Sequence, residues 1–117
     1  MDTIYIIVVV RQVNKLVTFN CPSSIEVTIR TSIEPLCPFT GIRDKYSLVI
    51  TYKASNKCIE AESLFSFLFN YRNKRITQEE LTLELLNILR KELEPKHICV
   101  ELAGRHGAID MTSKMCL

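Results

Sequence analysis

Residues 25–33 read Ile25-Glu26-Val27-Thr28-Ile29-Arg30-Thr31-Ser32-Ile33, with apolar and polar side chains alternating. Successive side chains of a strand point to opposite faces, so this pattern predicts a strand with one buried and one exposed face. Pro35, Pro38 and Gly41 then break the chain into a loop. A second strand is expected over 46–54, before a turn at Asn56-Lys57.

After residue 59 the apolar period changes from that of a strand to that of a helix. The residues that recur at helical spacing predict an amphipathic helix over 60–73: Leu64, Phe67, Leu68 and Tyr71. Thr77 followed by Glu80 forms a capping box that starts a second helix, which Pro95 ends. Residues 96–103 and 107–116 predict two strands, joined by a hairpin around Gly104-Arg105-His106-Gly107.

The predicted fold class is α+β, a β-β-α-α-β-β order in one domain over residues 1–117. A four-stranded antiparallel sheet with both helices on one face would bury one side of every element. Its two outer strands would stay unpaired, which invites edge-to-edge joining of copies and predicts a homo-oligomer.

Residues 1–24 form an N-terminal extension, in which the apolar, β-branched run 4–10 predicts a buried strand. A membrane-spanning helix needs about 20 apolar residues, so no membrane association is expected. No basic segment precedes the run and no cleavage site follows it, so no signal peptide is expected either. The chain has 117 residues, is 47% apolar and carries a net charge of +2, which argues neither for nor against a nucleic-acid partner.

The five cysteines form an odd set without Cys-X-X-Cys spacing: Cys21, Cys37, Cys58, Cys99 and Cys116. This pattern predicts reduced thiols in a cytoplasmic protein rather than a disulfide scaffold. No metal site is expected, because His97 and His106 have no paired-cysteine spacing around them.

The loop between the first two strands carries the most informative chemistry, in residues 37–44: Cys37-Pro38-Phe39-Thr40-Gly41-Ile42-Arg43-Asp44. The turn folds the chain back, so Cys37 and Asp44 can face the same small volume. A thiolate supplies a nucleophile and a nearby carboxylic acid supplies a proton. The alternative is a plain turn, with Cys37 as a small buried apolar residue.

Three segments resemble, in order, those of the QueF family, nitrile reductases that act on cyano-deazaguanine: Leu36–Asp44, Cys58–Leu64, and Tyr71-Arg72-Asn73 with Gln78-Glu79. The resemblance covers about residues 25–115. It implies the tunnelling fold (T-fold), whose β-β-α-α-β-β units oligomerise by edge pairing into a β-barrel. It also implies a decamer of two stacked pentamers, with active sites at subunit interfaces.

One departure from the family concerns the cofactor. QueF reductases carry a Glu-Ser-Lys-Ser-X-Lys-X-aromatic signature that helps to hold NADPH, and the aligned stretch here is residues 60–67. Glu62 and Phe65 stand at the two lysine positions. A carboxylate repels a cofactor that carries phosphate charges, and the hydride chemistry belongs to that cofactor. No cofactor is therefore expected.

A cysteine–aspartate pair without that signature resembles the archaeal QueF-like amidinotransferase branch, which makes archaeosine. The resemblance implies that Cys37 adds to the nitrile of cyano-deazaguanine in tRNA while Asp44 protonates the nitrogen. Ammonia would then attack the thioimidate and release an amidine. Two alternatives stay open: an NADPH-dependent nitrile reductase, and a non-catalytic module that binds purine-like rings or tRNA.

The resemblance also implies four substrate-binding residues. Glu79 would recognise the guanine-like edge, Gln78 replaces the family histidine, Glu60 would contact the deazaguanine, and Ser63 is a retained signature position. The alternatives are ordinary helix first-turn and capping roles.

Basic side chains near this loop either contact tRNA phosphates or form a solvated loop: Arg43, Arg72, Lys74 and Arg75. Arg105 and His106 in the terminal hairpin have the same two interpretations.

Overall fold

The structure is a computed structural model, and it describes residues 15–117. Along the chain the elements are β1 (Thr18–Asn20), β2 (Glu26–Ile33), β3 (Tyr46–Lys53), β4 (Lys57–Ile59), α1 (Ala61–Phe69), a 3₁₀ turn (Asn70–Asn73), α2 (Gln78–Leu93), β5 (His97–His106) and β6 (Ile109–Cys116). The strand predicted over 4–10 lies outside the described residues. Among the described residues, no helix is long and apolar enough to cross a membrane.

The main sheet has the order β2-β3-β5-β6 with every neighbouring pair antiparallel. The alternation predicted for residues 25–33 is confirmed in β2, where Val27 and Ile29 are partly buried while Glu26 and Thr28 are exposed. Strand β3 alternates as well, with Leu48 and Ile50 fully buried. The register places Ile50 between Ile29 of β2 and Val100 of β5, so one face of the sheet is a continuous apolar surface.

Both helices lie on that apolar face. Leu64 and Leu68 of α1 line a cleft with Val27 and Ile29 of β2. Helix α2 packs against β5 and β6 and buries one apolar stripe: Leu81, Leu85, Leu86, Leu89 and Leu93. The predicted arrangement, with both helices on one side of the sheet, is confirmed.

The ends of the helices follow their capping signals. Thr77 Oγ1 accepts a hydrogen bond from the Glu80 backbone N–H at 3.2 Å and donates to the Glu80 carboxylate at 2.9 Å. Helix α2 ends at Leu93, where Glu94 adopts a left-handed conformation before Pro95. The first helix ends at Phe69 rather than at 73, because the Asn70 N–H bonds to the Phe67 carbonyl and tightens the chain into a 3₁₀ turn.

The hairpin prediction was wrong in its position. Strand β5 continues through Gly104 to His106, and the turn lies at Gly107-Ala108, where Gly107 has a φ of +63°. Gly104 sits opposite Tyr46 in the register, and a Cβ at Gly104 would lie 2.4 Å from Tyr46 Cδ1. The glycine at 104 therefore makes room for an aromatic ring rather than for a turn.

The expectation of reduced thiols is corrected by two disulfides, Cys21–Cys58 and Cys99–Cys116. The first lies beside the small β1–β4 sheet, which the sequence did not predict. The second joins residues that face each other across β5 and β6. The two cysteines of each disulfide are 37 and 17 residues apart in the chain, so only the strand register brings them together.

Candidate active site around Cys37

The loop between β2 and β3 is a closed turn that is tied to the start of α2. The Cys37 N–H donates to the Ile42 carbonyl at 2.8 Å, and the Gly41 N–H donates to the Cys37 carbonyl at 2.8 Å. Leu36 donates to the Lys74 carbonyl and accepts from the Ile76 N–H. These bonds hold the cysteine beside the first turn of α2, which follows directly after residue 77.

The loop, the sheet and the helix enclose an open cleft of about 430 Å³. It brings together four of the six predicted site residues, namely Cys37, Asp44, Gln78 and Glu79. The remaining lining residues come from the loop, the start of α2 and three strands: Pro38, Phe39, Tyr46, Thr77, His106 and Met111.

Cys37 is the free cysteine of the described chain, and it is half-buried. A hydrogen bond from the Thr40 side chain, followed by bonds from the Thr40 and Phe39 backbone N–H groups, lowers the pKa of the Cys37 thiol from its ordinary value. The negative charge of Asp44 opposes this effect and is the weakest of these influences. The turn therefore stabilises a thiolate at the mouth of the cleft.

Asp44 is held by partners on both of its oxygens. The Tyr46 hydroxyl donates to Oδ2 at 3.2 Å, and His106 Nδ1 lies 3.8 Å from Oδ1, within ion-pair range. Burial, and next the charge of Asp44, raise the pKa of the Tyr46 phenol far above its usual value. Tyr46 therefore remains a proton-bearing donor that orients the carboxylate.

His106 belongs to this site, although the sequence analysis left it among ambiguous hairpin residues. Its Nε2 lies 2.8 Å from Oε1 of Gln78. In β5 it falls on the same face as Gly104 and Leu102, two and four residues earlier. A turn placed at 107–108 rather than at 104–107 would have predicted that His106 faces the cleft.

Gln78 is 2% exposed, and its amide is already bonded within the chain. Its Nε2 donates to the Leu102 carbonyl at 3.0 Å and to the Met111 carbonyl at 3.1 Å, while Oε1 faces His106. Within the described chain, this side chain positions His106 and joins α2 to the β5–β6 hairpin, while its contact with a bound base stays a prediction.

Glu79 is exposed in the first turn of α2 and lines the cleft. A carboxylate at this position can accept hydrogen bonds from the N–H groups of a planar ring.

Glu60 and Ser63 are not among the residues that line this cleft. Glu60 caps α1, accepting from the Ser63 and Glu62 N–H groups at 2.8 Å each, and these bonds lower its pKa. The Ser63 hydroxyl donates to the Glu60 carbonyl and accepts from the Val17 N–H. Within one chain, both residues build the start of α1 outside this cleft, and their contact with a substrate stays a prediction.

Three of the basic side chains near the loop have partners within the described chain. Arg43 donates to the carbonyls of Glu34 and Arg72, at 2.9 and 2.8 Å. Arg72 pairs with the Glu34 carboxylate at 2.7 Å. Lys74 pairs with Glu84 at 2.8 Å. Arg43 and Arg72 therefore tie the loop to the 3₁₀ turn, and Lys74 pairs with a side chain of α2.

The sequence profile of the QueF-like protein family matches residues 44–115, more than half of the chain. Cys37 precedes this range, so its assignment as the nucleophile rests on the eight-residue sequence 37–44 and on its place in the cleft. The NADPH-dependent 7-cyano-7-deazaguanine reductase of Chlorobium chlorochromatii is 34% identical over 80 residues, which are 67% of this chain and 69% of that protein. The equally named protein of Caldicellulosiruptor bescii is 40% identical over 68 residues, 58% of this chain but only 52% of its own length.

A solved structure, the apo form of the archaeosine synthase QueF-Like, superposes with a TM-score of 0.76 at 21% identity. The match covers 82% of this chain and 94% of that one. It confirms the α+β T-fold prediction. Taken with the profile match, it shows that the chain belongs to the QueF-like family.

Proposed function

We propose that this chain captures the nitrile of a 7-cyano-7-deazaguanine base on Cys37 as a covalent thioimidate. The observation that carries the proposal is a free, half-buried thiol of lowered pKa in one cleft with Asp44 and His106. A volume of about 430 Å³ lies in the range of small-molecule pockets, roughly 300–1,000 Å³.

The bond changes of the capture step are simple. The Cys37 sulfur forms a bond to the nitrile carbon, one π bond of the C≡N group breaks, and its electron pair moves to nitrogen. That nitrogen takes a proton from the Asp44–His106 pair. The product is a thioimidate, C(=NH)–S, and no electrons enter or leave.

The Asp44–His106 pair suits this proton transfer because the hydrogen bond to Gln78 limits where the imidazole proton can lie. Gln78 presents Oε1, an acceptor, so His106 Nε2 must carry a hydrogen. Nδ1 then faces Asp44, and a proton between these two atoms relieves the contact between a lone pair and a carboxylate. That proton is the one we assign to the nitrile nitrogen.

Glu79 would recognise the base from the first turn of α2. Its carboxylate can accept hydrogen bonds from a ring N–H and an exocyclic amine, the edge that a guanine-like ring presents. This role leaves Cys37 and Asp44 free for the reaction at the opposite end of the ring.

For the second half of the reaction we infer an amidinotransferase that acts on the nitrile base within tRNA. Ammonia would attack the thioimidate carbon, Cys37 would leave as a thiol, and the amidine of archaeosine would remain. The support is chemical: Glu62 and Phe65, both exposed on α1, occupy the two positions where the reductase signature has lysines. Neither side chain fits the phosphates of a nicotinamide cofactor. Action on tRNA implies a cytoplasmic protein.

The second candidate is an NADPH-dependent nitrile reductase, which the names of the curated relatives favour. The two functions share the thioimidate and differ in what attacks it. The separating experiment gives the protein the free nitrile base with NADPH, or nitrile-bearing tRNA with an ammonium salt. We expect no steady loss of nicotinamide absorbance and a gain in tRNA mass equal to one ammonia. Steady NADPH oxidation would replace the amidinotransferase proposal with the reductase.

We further propose that copies of the chain join through the edges of the main sheet. Strands β2 and β6 end the sheet, with no partner strand among residues 15–117. Such joining would allow Glu60 of one copy to approach the cleft of another. Sedimentation of the protein tests this, because a monomer at micromolar concentration would contradict it.

A further inference from the structure

A second cluster of reactive side chains lies on the face of the sheet that the helices leave uncovered. Cys99 of β5 faces Cys116 of β6 across the ladder, with their Cα atoms 4.1 Å apart. His97 lies two residues before Cys99 and therefore on the same face. Its Nε2 is 3.4 Å from Cys99 Sγ, and the ligating atoms of all three residues lie within 4.8 Å of one another.

We propose that these three side chains form a Zn²⁺ site in the reduced protein, and that the Cys99–Cys116 disulfide is the metal-free, oxidised state of that site. Two cysteines and one histidine are a ligand set that zinc accepts, with water in the fourth position. The sequence analysis excluded a metal site because no paired-cysteine spacing surrounds His97, but the ladder supplies the second cysteine from another strand.

The spacing of the ligand atoms supports the proposal. Zinc–sulfur bonds of about 2.3 Å and zinc–nitrogen bonds of about 2.0–2.1 Å, at a tetrahedral angle, separate the two ligand atoms by roughly 3.5 Å. The observed separation of His97 Nε2 and Cys99 Sγ is 3.4 Å. The two sulfurs need roughly 3.7 Å in the same geometry, which directly opposed side chains reach once the bond between them is broken.

The surroundings leave the fourth position open. His97 lines a cleft of about 410 Å³ together with residues of β2 and β3, including Glu26, Thr51 and Lys53. Thr51 is the register partner of Cys99, and Lys53 is the partner of His97. The Lys53 ammonium repels a cation, but two thiolates neutralise the charge of Zn²⁺. Glu26 is the register partner of Lys53 and places a negative charge opposite that ammonium.

This site is separate from the Cys37 cleft. Cys99 precedes Gly104, the register partner of Tyr46, by five strand residues, which correspond to roughly 17 Å along the sheet. The two clefts share no lining residue.

The exchange between the two states balances with a dithiol reductant. The disulfide takes two electrons and two protons from the dithiol, which itself becomes a disulfide, and leaves two Cys–SH groups. Zinc binding then converts both thiols to thiolates and releases two protons. Metal binding and disulfide formation therefore exclude each other.

The test uses Co²⁺ as a spectroscopic substitute for Zn²⁺. The full chain is reduced with a phosphine, freed of metal with a chelator, desalted under argon and titrated with Co²⁺. We expect one ion per chain, with a thiolate-to-cobalt charge-transfer band and the visible bands of a tetrahedral site, both abolished by Zn²⁺. The protein that keeps its disulfides should show neither band.

Variants locate the site. Cys99→Ser and His97→Ala each remove a proposed ligand, so each should weaken Co²⁺ binding by more than the roughly 10- to 100-fold that loss of a residue behind a ligand costs. Cys37→Ser and Cys21→Ser are matched controls that remove a thiol elsewhere and should bind as the wild type does. A thermal melt of each variant shows that it is folded. The proposal is wrong if the reduced wild type binds no Co²⁺, if Cys99→Ser binds equally well, or if a control loses the bands.

Discussion

His106 donates a hydrogen bond to Gln78, from Nε2 to Oε1 over 2.8 Å, and the other contacts of Gln78 fix this direction. The amide nitrogen of Gln78 already faces two backbone carbonyls, which can only accept. The imidazole therefore points its other nitrogen at Asp44. A buried amide on α2 thus sets the orientation of a titratable group in the cleft.

Replacing His106 should slow capture of the nitrile without unfolding the protein. We expect His106→Ala to reduce the rate of thioimidate formation by roughly 100-fold, the lower end of what a positioned proton donor contributes. Mass spectrometry of samples quenched at successive times measures this rate, and a thermal melt reports folding. Arg105→Ala is the matched control, because Arg105 is the exposed neighbour of His106 and pairs with Asp110. Equal rates in the two variants would remove His106 from the proton transfer.

The reactivity of Cys37 should persist below the pH at which an ordinary cysteine loses it. Hydrogen bonds from Thr40 and Phe39 favour the charged thiolate, which lowers its pKa. The thiolate population therefore falls only when the pH drops through this lowered pKa. Alkylation by iodoacetamide under non-reducing conditions, measured against pH, should have a midpoint below that of a cysteine in a short unstructured peptide measured in parallel.

Thr40→Val should move that alkylation midpoint upward, because it removes the first of these donors. Thr40→Ser keeps the hydroxyl and should behave as the wild type does. Cys37→Ser gives the background from the disulfide-bonded cysteines. Coincident midpoints for Thr40→Val and Thr40→Ser would show that the hydroxyl does not act on the thiol.

Glu79 should contribute to binding rather than to the chemical step. Hydrogen bonds to a charged group contribute about 1.5–3 kcal/mol each, so Glu79→Gln should weaken binding of the nitrile base by roughly 10- to 100-fold. The saturated rate of adduct formation should change little. Glu80→Gln removes the same charge one residue later and retains an acceptor for Thr77. A Glu79 variant with unchanged affinity but a slower saturated rate would reverse the assignment.

Gly104→Ala should destabilise the fold. The added Cβ would lie 2.4 Å from Tyr46 Cδ1 and 3.2 Å from the Lys45 carbonyl oxygen, so the aromatic ring or the strand must shift. Overpacking of this kind costs about 1–3 kcal/mol in the free energy of unfolding, which urea denaturation measures. Ala103→Ser, on the opposite face of the same strand, should change stability far less. A Gly104→Ala protein as stable as the wild type would show that this contact relaxes freely.

The strands and helices could be predicted because their patterns are local. The alternation of 25–33, the helical period of α2 and the Thr77–Glu80 cap each need only neighbouring residues, and each is confirmed. Non-local features escaped prediction. The two disulfides depend on strand register, and the three-residue strands β1 and β4 are too short to show a period.

The site residues that lie in the β2–β3 loop and in the first turn of α2 could be predicted from the sequence. Cys37 and Asp44 lie in one octapeptide, and the first turn of α2 places Glu79 beside them. His106 comes from the C-terminal end of β5. Gly104 led to a turn being predicted over 104–107, because the sequence alone does not show that this glycine makes room for the Tyr46 ring. Glu60 accepts from the first N–H groups of α1 and does not line the cleft of its own chain, so its predicted contact with the substrate depends on a second copy.

Asp44 should supply the proton rather than hold the fold. Asp44→Asn retains an acceptor for Tyr46, so we expect an unchanged melting temperature and slower adduct formation, by roughly 100-fold or more. An adduct rate for Asp44→Asn equal to that of the wild type would exclude Asp44 as the proton source.

The mass of the intact protein after mixing with 7-cyano-7-deazaguanine, without a nitrogen or hydride donor, tests the central claim most directly. We predict a gain equal to the full mass of the base, located on Cys37 by peptide mapping and absent from Cys37→Ala. An unmodified wild-type protein, or an adduct that survives in Cys37→Ala, would contradict the account.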